Sequence, residues 1–306
     1  MNLRQLRFIC ELVKHDLNVS AVAKTLNTNQ SGVSKQLKML ETELGTQIFI
    51  RSRNRLSSVT PYGQTIISLA QEVLRGIANI TAVGEDVKRD TAGSIVIGIT
   101  HTQARHVLPE IIKRFNAQHP KVRIRMRHAD PPQIIEMVLS GKVDIGITAY
   151  DPPKVRDLIT LPFRQYQRIL IVPKGHKLLR IPKVSLKDIV QYPIVTYESG
   201  YAARQQIVKV FEKEGLEPKI AISAIDDDVI KSCVEQGLGI TVLSEVTFDA
   251  SRDSNIKAIS IKHLFEPYTT SIIISRQHYI RRHVFDFIEL CAPHWGRANI
   301  QRIAGK

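Results

Sequence analysis

The chain has 306 residues, 43% hydrophobic and 24% charged, and 43 Lys and Arg outweigh 29 Asp and Glu for a formal net charge of +14. These values exclude disordered and fibrous classes and leave a soluble globular protein of two or three domains. The basic surplus favours a polyanionic partner or anionic ligands. The first sixty residues hold only nine basic and four acidic side chains, so most of the excess lies downstream. Neither a signal-type apolar region nor a run of about 18 apolar residues appears, which is read as a cytoplasmic, non-membrane protein. Cys10, Cys233 and Cys291 are far apart, match no metal or redox spacing and read as buried thiols. The chain carries no Walker loop, G-x-G-x-x-G, H-E-x-x-H or G-x-S-x-G.

In chain order, Leu3–His15 reads as a first helix with Leu6, Ile9, Cys10 and Val13 on one face. Val19–Leu40 then reads as two short helices with a tight break. Ser20 can cap the first, whose apolar face is built from Ala21, Val22, Ala23 and Leu26. Asn27-Thr28-Asn29 is turn chemistry. Val33, Leu37, Leu40 and Leu44 recur at helical spacing and bury one stripe of a helix over Asn29–Leu44. Gln30, Ser31, Ser34, Lys35 and Lys38 stay outward, and short hydrogen-bonders beside cations can meet base edges and phosphates in a major groove. This is a helix-turn-helix signal; the competing reading is a helical hairpin with a solvated polar face.

Gln47–Arg51 and Leu56–Thr60 are β-prone and flank the basic turn Ser52-Arg53-Asn54-Arg55. Such a wing, with Arg51, Arg53 and Arg55, can grip phosphates or the minor groove. Thr60-Pro61 opens a long helix, along which Ile66, Ala70, Val73, Ile77, Ile80, Gly84 and Val87 form a seam with a/d spacing. At 1.5 Å per residue the helix spans about 40 Å. It is expected to pair with its own copy, or else to pack on its own domain, and to fray into a hinge over Asp86–Ala92.

From Gly93 onward strands alternate with helices. Strands are expected at Ser94–Ile99, Lys121–His128, Val143–Ile147, Arg168–Val172, Ile194–Tyr197, Ile220–Ala224, Ile240–Leu243, Asn255–Ile261 and Thr270–Ser275. Helices are expected at Ala104–Gln118, Pro132–Ser140, Ala203–Glu214, Val229–Gln236 and Tyr279–Cys291. The pattern predicts an α/β architecture with mainly parallel sheets. Breaks at Phe163–Gln167 and Glu266–Tyr268 predict a crossing to a second lobe and a return. Ligands in such folds sit beyond the carboxyl ends of strands. Thr100-His101-Thr102-Gln103, Thr148 and Thr196-Tyr197-Glu198-Ser199-Gly200-Tyr201 stand at three such ends, where hydroxyls and N–H groups suit a small anion or zwitterion; helix capping is the alternative. Asp226-Asp227-Asp228 reads as acids at a helix N-terminus.

The segments Thr28–Gln36, Leu40–Gly45, Phe49–Ser52 and Val59–Gly63 resemble the recognition helix, wing and linker start of LysR-type transcriptional regulators. The effector half is similar to the family's CysB/Cbl branch, which governs sulfate and sulfonate assimilation, through Thr100–Arg105, Tyr192-Pro193, Thr196-Tyr197, Asp226–Lys231 and Gly237–Gly239. The resemblance implies an N-terminal all-α winged helix-turn-helix (1–60), a linker and dimerisation helix with hinge (61–92), and a C-terminal α/β two-lobed periplasmic-binding-protein-like effector domain (93–306). Lobe I is expected at 93–163 and 270–306 and lobe II at 168–266. It further implies a homotetramer, a dimer of dimers, on double-stranded promoter DNA. Its effector would be a small anion, sulfate, acetylserine or a related metabolite, lined by residues matching Thr100, Thr102, Gln103 and Thr148; His101, Tyr197, Ser199, Tyr201 and Ala202 complete the candidate set. After Gly200 the branch carries an aromatic or aliphatic residue and then Thr-Gly-Arg, where this chain has Tyr201-Ala202-Ala203-Arg204. The loss of a hydroxyl at Ala202 puts an identical ligand in doubt.

The expected function is therefore regulation, with no catalytic residues, metal or cofactor, and with effector binding altering DNA bending and contact with RNA polymerase. The alternatives are a LysR-type regulator of another pathway, a two-lobed enzyme fused to a DNA-binding head, and an architectural DNA binder with a vestigial pocket.

Overall fold

Asn2 accepts a hydrogen bond from the Gln5 backbone N–H while the Gln5 side chain accepts from Asn2 N–H. This reciprocal box starts helix α1, Leu3–Lys14. The computed structural model describes residues 1–53, 55–87, 93–149 and 155–304, which divide into two units, Met1–Arg89 and Asp90–Lys306.

In the first unit α1 is followed by α2 (Val19–Thr25) and α3 (Gln30–Leu44). The cap of α2 is Asn18, whose Oδ1 accepts from Ala21 N–H at 3.0 Å; Ser20, the expected cap, lies inside the first turn. Asn27 has φ +48° in the turn between the two helices, the left-handed geometry its side chain tolerates. Phe8 and Leu12 join Leu6, Ile9 and Cys10 in the core of α1, while Val13 is 38% exposed. Val33, Leu37 and Leu40 are buried as the spacing predicts, but Leu44 stays on the surface because the last turn of α3 runs past the core. Strands β1 (Phe49–Ser52) and β2 (Arg55–Val59) pair antiparallel.

Helix α4 spans Pro61–Val87, with Thr60 Oγ1 accepting from Gly63 N–H as its cap. It passes through Gly84 without a break. Residues 88–92, where the rest of the hinge was expected, lie outside the described residues. The seam is divided. Of the seam residues, Ala70 is buried and Ile66 packs against the core of this unit, beside Ile67, which the seam did not include, whereas Val73 and Ile80 are exposed, together with Leu69 and Val83 from outside the seam. Pro61–Asp86 is by length and composition able to cross a bilayer. Glu72 and Arg75 fall in that span, however, and a charge in a helix at bilayer depth costs about 2.5–3.5 kcal/mol, so the exposed stripe fits a protein partner better.

The second unit is built on the five-stranded order β4-β3-β5-β12-β6. Its strands are β3 (Gly93–Ile99), β4 (Val122–His128), β5 (Ile145–Thr148), β6 (Leu158–Tyr166) and, returning late in the chain, β12 (Tyr268–Ser275). β3 is parallel to both neighbours, but β12 runs antiparallel to β5 and β6, so the sheet is mixed rather than mainly parallel. Its helices are α5 (His101–His106), α6 (Leu108–Gln118) and α7 (Pro131–Leu139). The single helix expected over Ala104–Gln118 is two, because Pro109 lacks an N–H and its ring clashes with the carbonyl one turn back. β6 replaces the expected break at Phe163–Gln167. Pro162 masks the strand signal and is tolerated because β6 is an edge strand.

The second lobe holds β7 (Arg168–Pro173), α8 (Leu186–Ile189), β8 (Ile194–Tyr197), α9 (Ala202–Lys213), β9 (Ile220–Ala224), α10 (Asp227–Glu235), β10 (Thr241–Ser244) and β11 (Ile256–Ser260). β10 and β11 flank β7 antiparallel, and β8 pairs parallel with β9. Helices α11 (Arg282–Cys291) and α12 (Arg297–Ala304) close the chain on the first lobe. Cys10 and Cys291 are buried thiols and Cys233 is half-buried.

A Cβ at Gly63 would lie 2.1 Å from Ile48 O, whereas one at Gly76 meets nothing within 4 Å. Gly63→Ala is expected to destabilise the first unit by about 1–3 kcal/mol, and Gly76→Ala to stabilise it by roughly 0.5–1 kcal/mol. Urea unfolding of the two full-length variants measures the contrast.

Candidate DNA-reading surface and effector cleft

Helix α3 places Gln30, Ser31, Ser34, Lys35 and Lys38 on the surface of the first unit. Its N-cap Asn29 accepts from Gly32 N–H at 2.7 Å and from the Ser31 hydroxyl at 3.0 Å. Ser31 is thus engaged with the cap, while Gln30 and Ser34 present open side chains. Among the described residues neither Lys35 nor Lys38 has a carboxylate within ion-pair distance. Glu41 ties the wing to α3. Its Oε1 accepts from Ile48 N–H at 2.9 Å and Phe49 N–H at 3.3 Å, and its Oε2 meets Arg51 at 3.2 Å. Arg51 therefore positions the wing, and Arg53 and Arg55 remain exposed beyond it.

In the second unit the carboxyl end of β3 delivers Thr100, which takes the N-cap position of α5 without a side-chain capping bond. Its hydroxyl is left to face an inter-lobe cavity of about 80 Å³. Of the nine candidate effector residues, Thr100, His101, Thr102, Gln103, Tyr197, Tyr201 and Ala202 line this cavity. Thr148 is buried just behind it, with Ala149 on the wall, and Ser199 stands outside in an exposed turn. Gln103 is 1% exposed and its Oε1 has no hydrogen-bond partner among the described residues. Tyr201 stacks on Tyr197 with ring centroids 5.7 Å apart.

Sequence reasoning missed Arg168, Gln206, Ser244 and Tyr268, which form the opposite wall. One signal was available: a cation opening the otherwise apolar strand Arg168–Val172 has no reason to be buried unless it does something. Arg168 donates to Gln206 Oε1 at 2.8 Å and lies 4.9 Å from the Tyr268 ring centroid. Burial pushes the Tyr268 phenol up to about 12. Burial and then the Asp227 carboxylate push Tyr197 well above its ordinary value. Both phenols are neutral donors at neutral pH, and Tyr268 donates to Ser244 Oγ.

The three acids that open α10 do more than favour its dipole. Asp226 caps α10 with Oδ1 and meets His101 Nε2 at 2.8 Å with Oδ2. Asp227, with no exposed surface, holds His106 Nε2 at 3.0 Å and accepts from the Thr102 hydroxyl at 3.3 Å. Asp228 pairs with Arg105 at 2.6 Å. One side of α5 is thereby latched to the second lobe. The His101, Asp226 and Asp227 ligand atoms lie close enough for a metal ion, but each carboxylate is already met by protein donors.

The chain matches two family profiles. Residues 3–64 match the bacterial regulatory helix-turn-helix protein, lysR family, and residues 88–296 match the LysR substrate binding domain. It is 38% identical over 300 residues to the HTH-type transcriptional regulator SsuR of Burkholderia cenocepacia, covering 98% of this chain and 97% of that one. It is 35% identical over 302 residues to the HTH-type transcriptional regulator cbl of Escherichia coli, covering 99% and 96%. The second unit resembles the crystal structure of the cofactor-binding domain of the Cbl transcriptional regulator, with TM-score 0.67, 34% identity, and 70% and 94% coverage.

Burial raises the pKa of Asp227, but the His106 hydrogen bond, the backbone N–H and the fields of His106 and His101 prevail and hold it below its ordinary 3.8. The folded chain therefore gains stability from the ionised form above the unfolded value, and loses it as pH falls through the lower folded value. Asp227→Asn should lower the urea midpoint at pH 7, and the gap to the unsubstituted protein should narrow as pH falls below the ordinary 3.8 and through the lower folded value.

Proposed function

Because the chain belongs to the LysR family of bacterial transcriptional regulators, we propose that the front of α3 reads promoter DNA and that the inter-lobe cavity senses a small anionic sulfur metabolite. The protein binds DNA through its helix-turn-helix and a small molecule through its effector domain. The observation that carries the reading is the open face of α3, where Gln30 and Ser34 stand exposed beside Lys35 and Lys38, which have no ion-pair partner among the described residues.

Gln30, Ser31, Ser34 and Lys35 supply base choice, as hydrogen-bonders at the start of a recognition helix do. Lys38, Arg53 and Arg55 supply phosphate contacts, and Arg51 supports the wing through Glu41. The exposed stripe of Leu69, Val73, Ile80 and Val83 supports pairing of α4 with a second copy, and a dimer of dimers presents several recognition helices to one promoter. The likeness over nearly the whole chain to the SsuR, CysB and cbl regulators supports control of sulfate or sulfonate assimilation genes in the cytoplasm. Effector binding biases lobe closure, and closure alters DNA bending and contact with RNA polymerase. A regulator of another pathway with an unrelated anion is the second reading, and the Ala202 departure favours it.

Gln30→Ala should relax discrimination at one base pair by roughly 1–3 kcal/mol. Arg53→Ala should weaken cognate and random DNA alike and reduce the salt slope by about one. Fluorescence-anisotropy titrations at several salt concentrations separate the two, and equal losses on both DNAs for both variants would overturn the division. Footprinting upstream of sulfur-assimilation genes tests the pathway; protection confined to other promoters selects the second reading.

A further inference from the structure

The cavity contains one charge that its own walls leave unanswered. Arg168 is 6% exposed, at the point where the chain passes from β6 into β7. A guanidinium has five N–H donors. Among the described residues only one meets a side-chain acceptor, Gln206 Oε1, and no carboxylate lies within ion-pair distance. The Tyr268 face beneath it offsets part of the charge. Burial nonetheless pulls the Arg168 pKa below its ordinary value, so the cation is under-compensated where it stands. Unpaired buried charges are costly, and proteins keep them where a partner arrives from outside.

The candidate residues drawn from the sequence pose the converse problem. Threonines, glutamine and tyrosines offer hydrogen bonds to an anion but no counter-charge, and His101, the one ionisable cation among them, has its Nε2 2.8 Å from the Asp226 carboxylate, so it already faces a counter-charge although the two are not aligned as a hydrogen bond. We propose that Arg168 is the charge-recognising residue of the inter-lobe cavity and selects ligands carrying a carboxylate, sulfonate or sulfate group, with Gln103 meeting a second polar group of the same molecule. This deepens the effector reading above and rests on it. Arg168, Gln206 and Tyr268 also form one wall of a wider groove in which Lys187, Lys209, Lys213 and Lys262 outnumber Glu214 and Glu266. Among the described residues none of these lysines is ion-paired, so the approach to Arg168 from that side carries a positive potential.

The test uses full-length protein and three probes: inorganic sulfate, N-acetylserine, and N-acetylserine methyl ester, which keeps the donors and lacks the charge. Calorimetric titration should show at least one acid binding the unsubstituted protein, and N-acetylserine binding more tightly than its ester. Arg168→Met should weaken the acids by roughly ten- to a hundredfold, as loss of a hydrogen-bonded charge does, and leave the ester's affinity unchanged. Without ligand, Arg168→Met should melt at or above the unsubstituted protein, since it removes an uncompensated buried charge. A purely structural arginine would instead lower that melting temperature and leave the acid-over-ester preference intact, which would overturn the proposal. Gln103→Leu separates the two levels of inference. If Gln103→Leu weakens the acids while Arg168→Met does not, the cavity binds them and the arginine assignment fails. If neither substitution changes affinity, the ligand binds elsewhere and the cavity reading fails with it. If none of the acids binds, both fail.

Discussion

Asp227 has no surface in contact with solvent, and an ionised carboxylate in such a place costs several kcal/mol unless donors meet it. The donors come from the other lobe. His106 and Thr102 on α5 reach its two oxygens, so β3 must end where it does and α5 must start at His101. Lobe I is thereby placed against α10, and Asp226 and Asp228 extend the same contact to His101 and Arg105. The cavity opens at the start of α5, where the N-cap Thr100 and then His101, Thr102 and Gln103 line it, so two latch residues also border the site.

The two sides of the cleft are electrostatically unlike. The acids of α10 have their partners within the protein, whereas the guanidinium across the cavity has one hydrogen bond and an aromatic face. A cation entering the cavity would find acids already satisfied and a like charge opposite. An anion would find guanidinium N–H groups that no acceptor among the described residues claims, and the Thr100 side chain beside them, while Gln103 Oε1, unpartnered among the described residues, would accept from a donor group of the same molecule. On the reading proposed above, selectivity for negative charge would follow from which half of the charge inventory was left open, not from net charge, much of which lies elsewhere on the surface.

The helix-turn-helix was legible because its signals are local. Apolar spacing in α3, turn chemistry at Asn27 and the Thr60-Pro61 start of α4 each involve neighbours in sequence, and each appears in the fold. Errors arose where a local signal was ambiguous or misleading. Ser20 and Asn18 are both competent caps, and only the register of α2 chooses. Pro162 argues against a strand, and only membership of a sheet edge excuses it. The run from Ala104 to Gln118 is periodic enough for one helix, and Pro109 divides it. The cleft was half legible: strand ends point to Thr100–Gln103, but Arg168, Gln206, Ser244 and Tyr268 arrive from segments far away in sequence. The acids at 226–228 were given a local role as a helix start, and Asp226 does cap α10. Their second role, toward a helix more than a hundred residues earlier, has no trace in local pattern.

A ligand shifts a conformational equilibrium only by its differential affinity for the two states. Residues that could touch one molecule here come from both lobes: Thr100 and Gln103 from α5, and Arg168 and Gln206 from β7 and α9. The arrangement seen here offers all of them to one cavity, and on the reading proposed above any arrangement that moves the lobes apart would offer fewer. The latch works without ligand but modestly. His101–Asp226 and Arg105–Asp228 are partly exposed pairs, a class that contributes little, and the buried His106–Asp227 contact is the strong member. On the reading proposed above, an anion that completes the coordination of Arg168 would add a second strong contact between ligand and protein beside this one. Arg168 sits where the chain passes between the lobes, so the added interaction would act at the crossing, where on this reading a small displacement would be felt by a whole lobe.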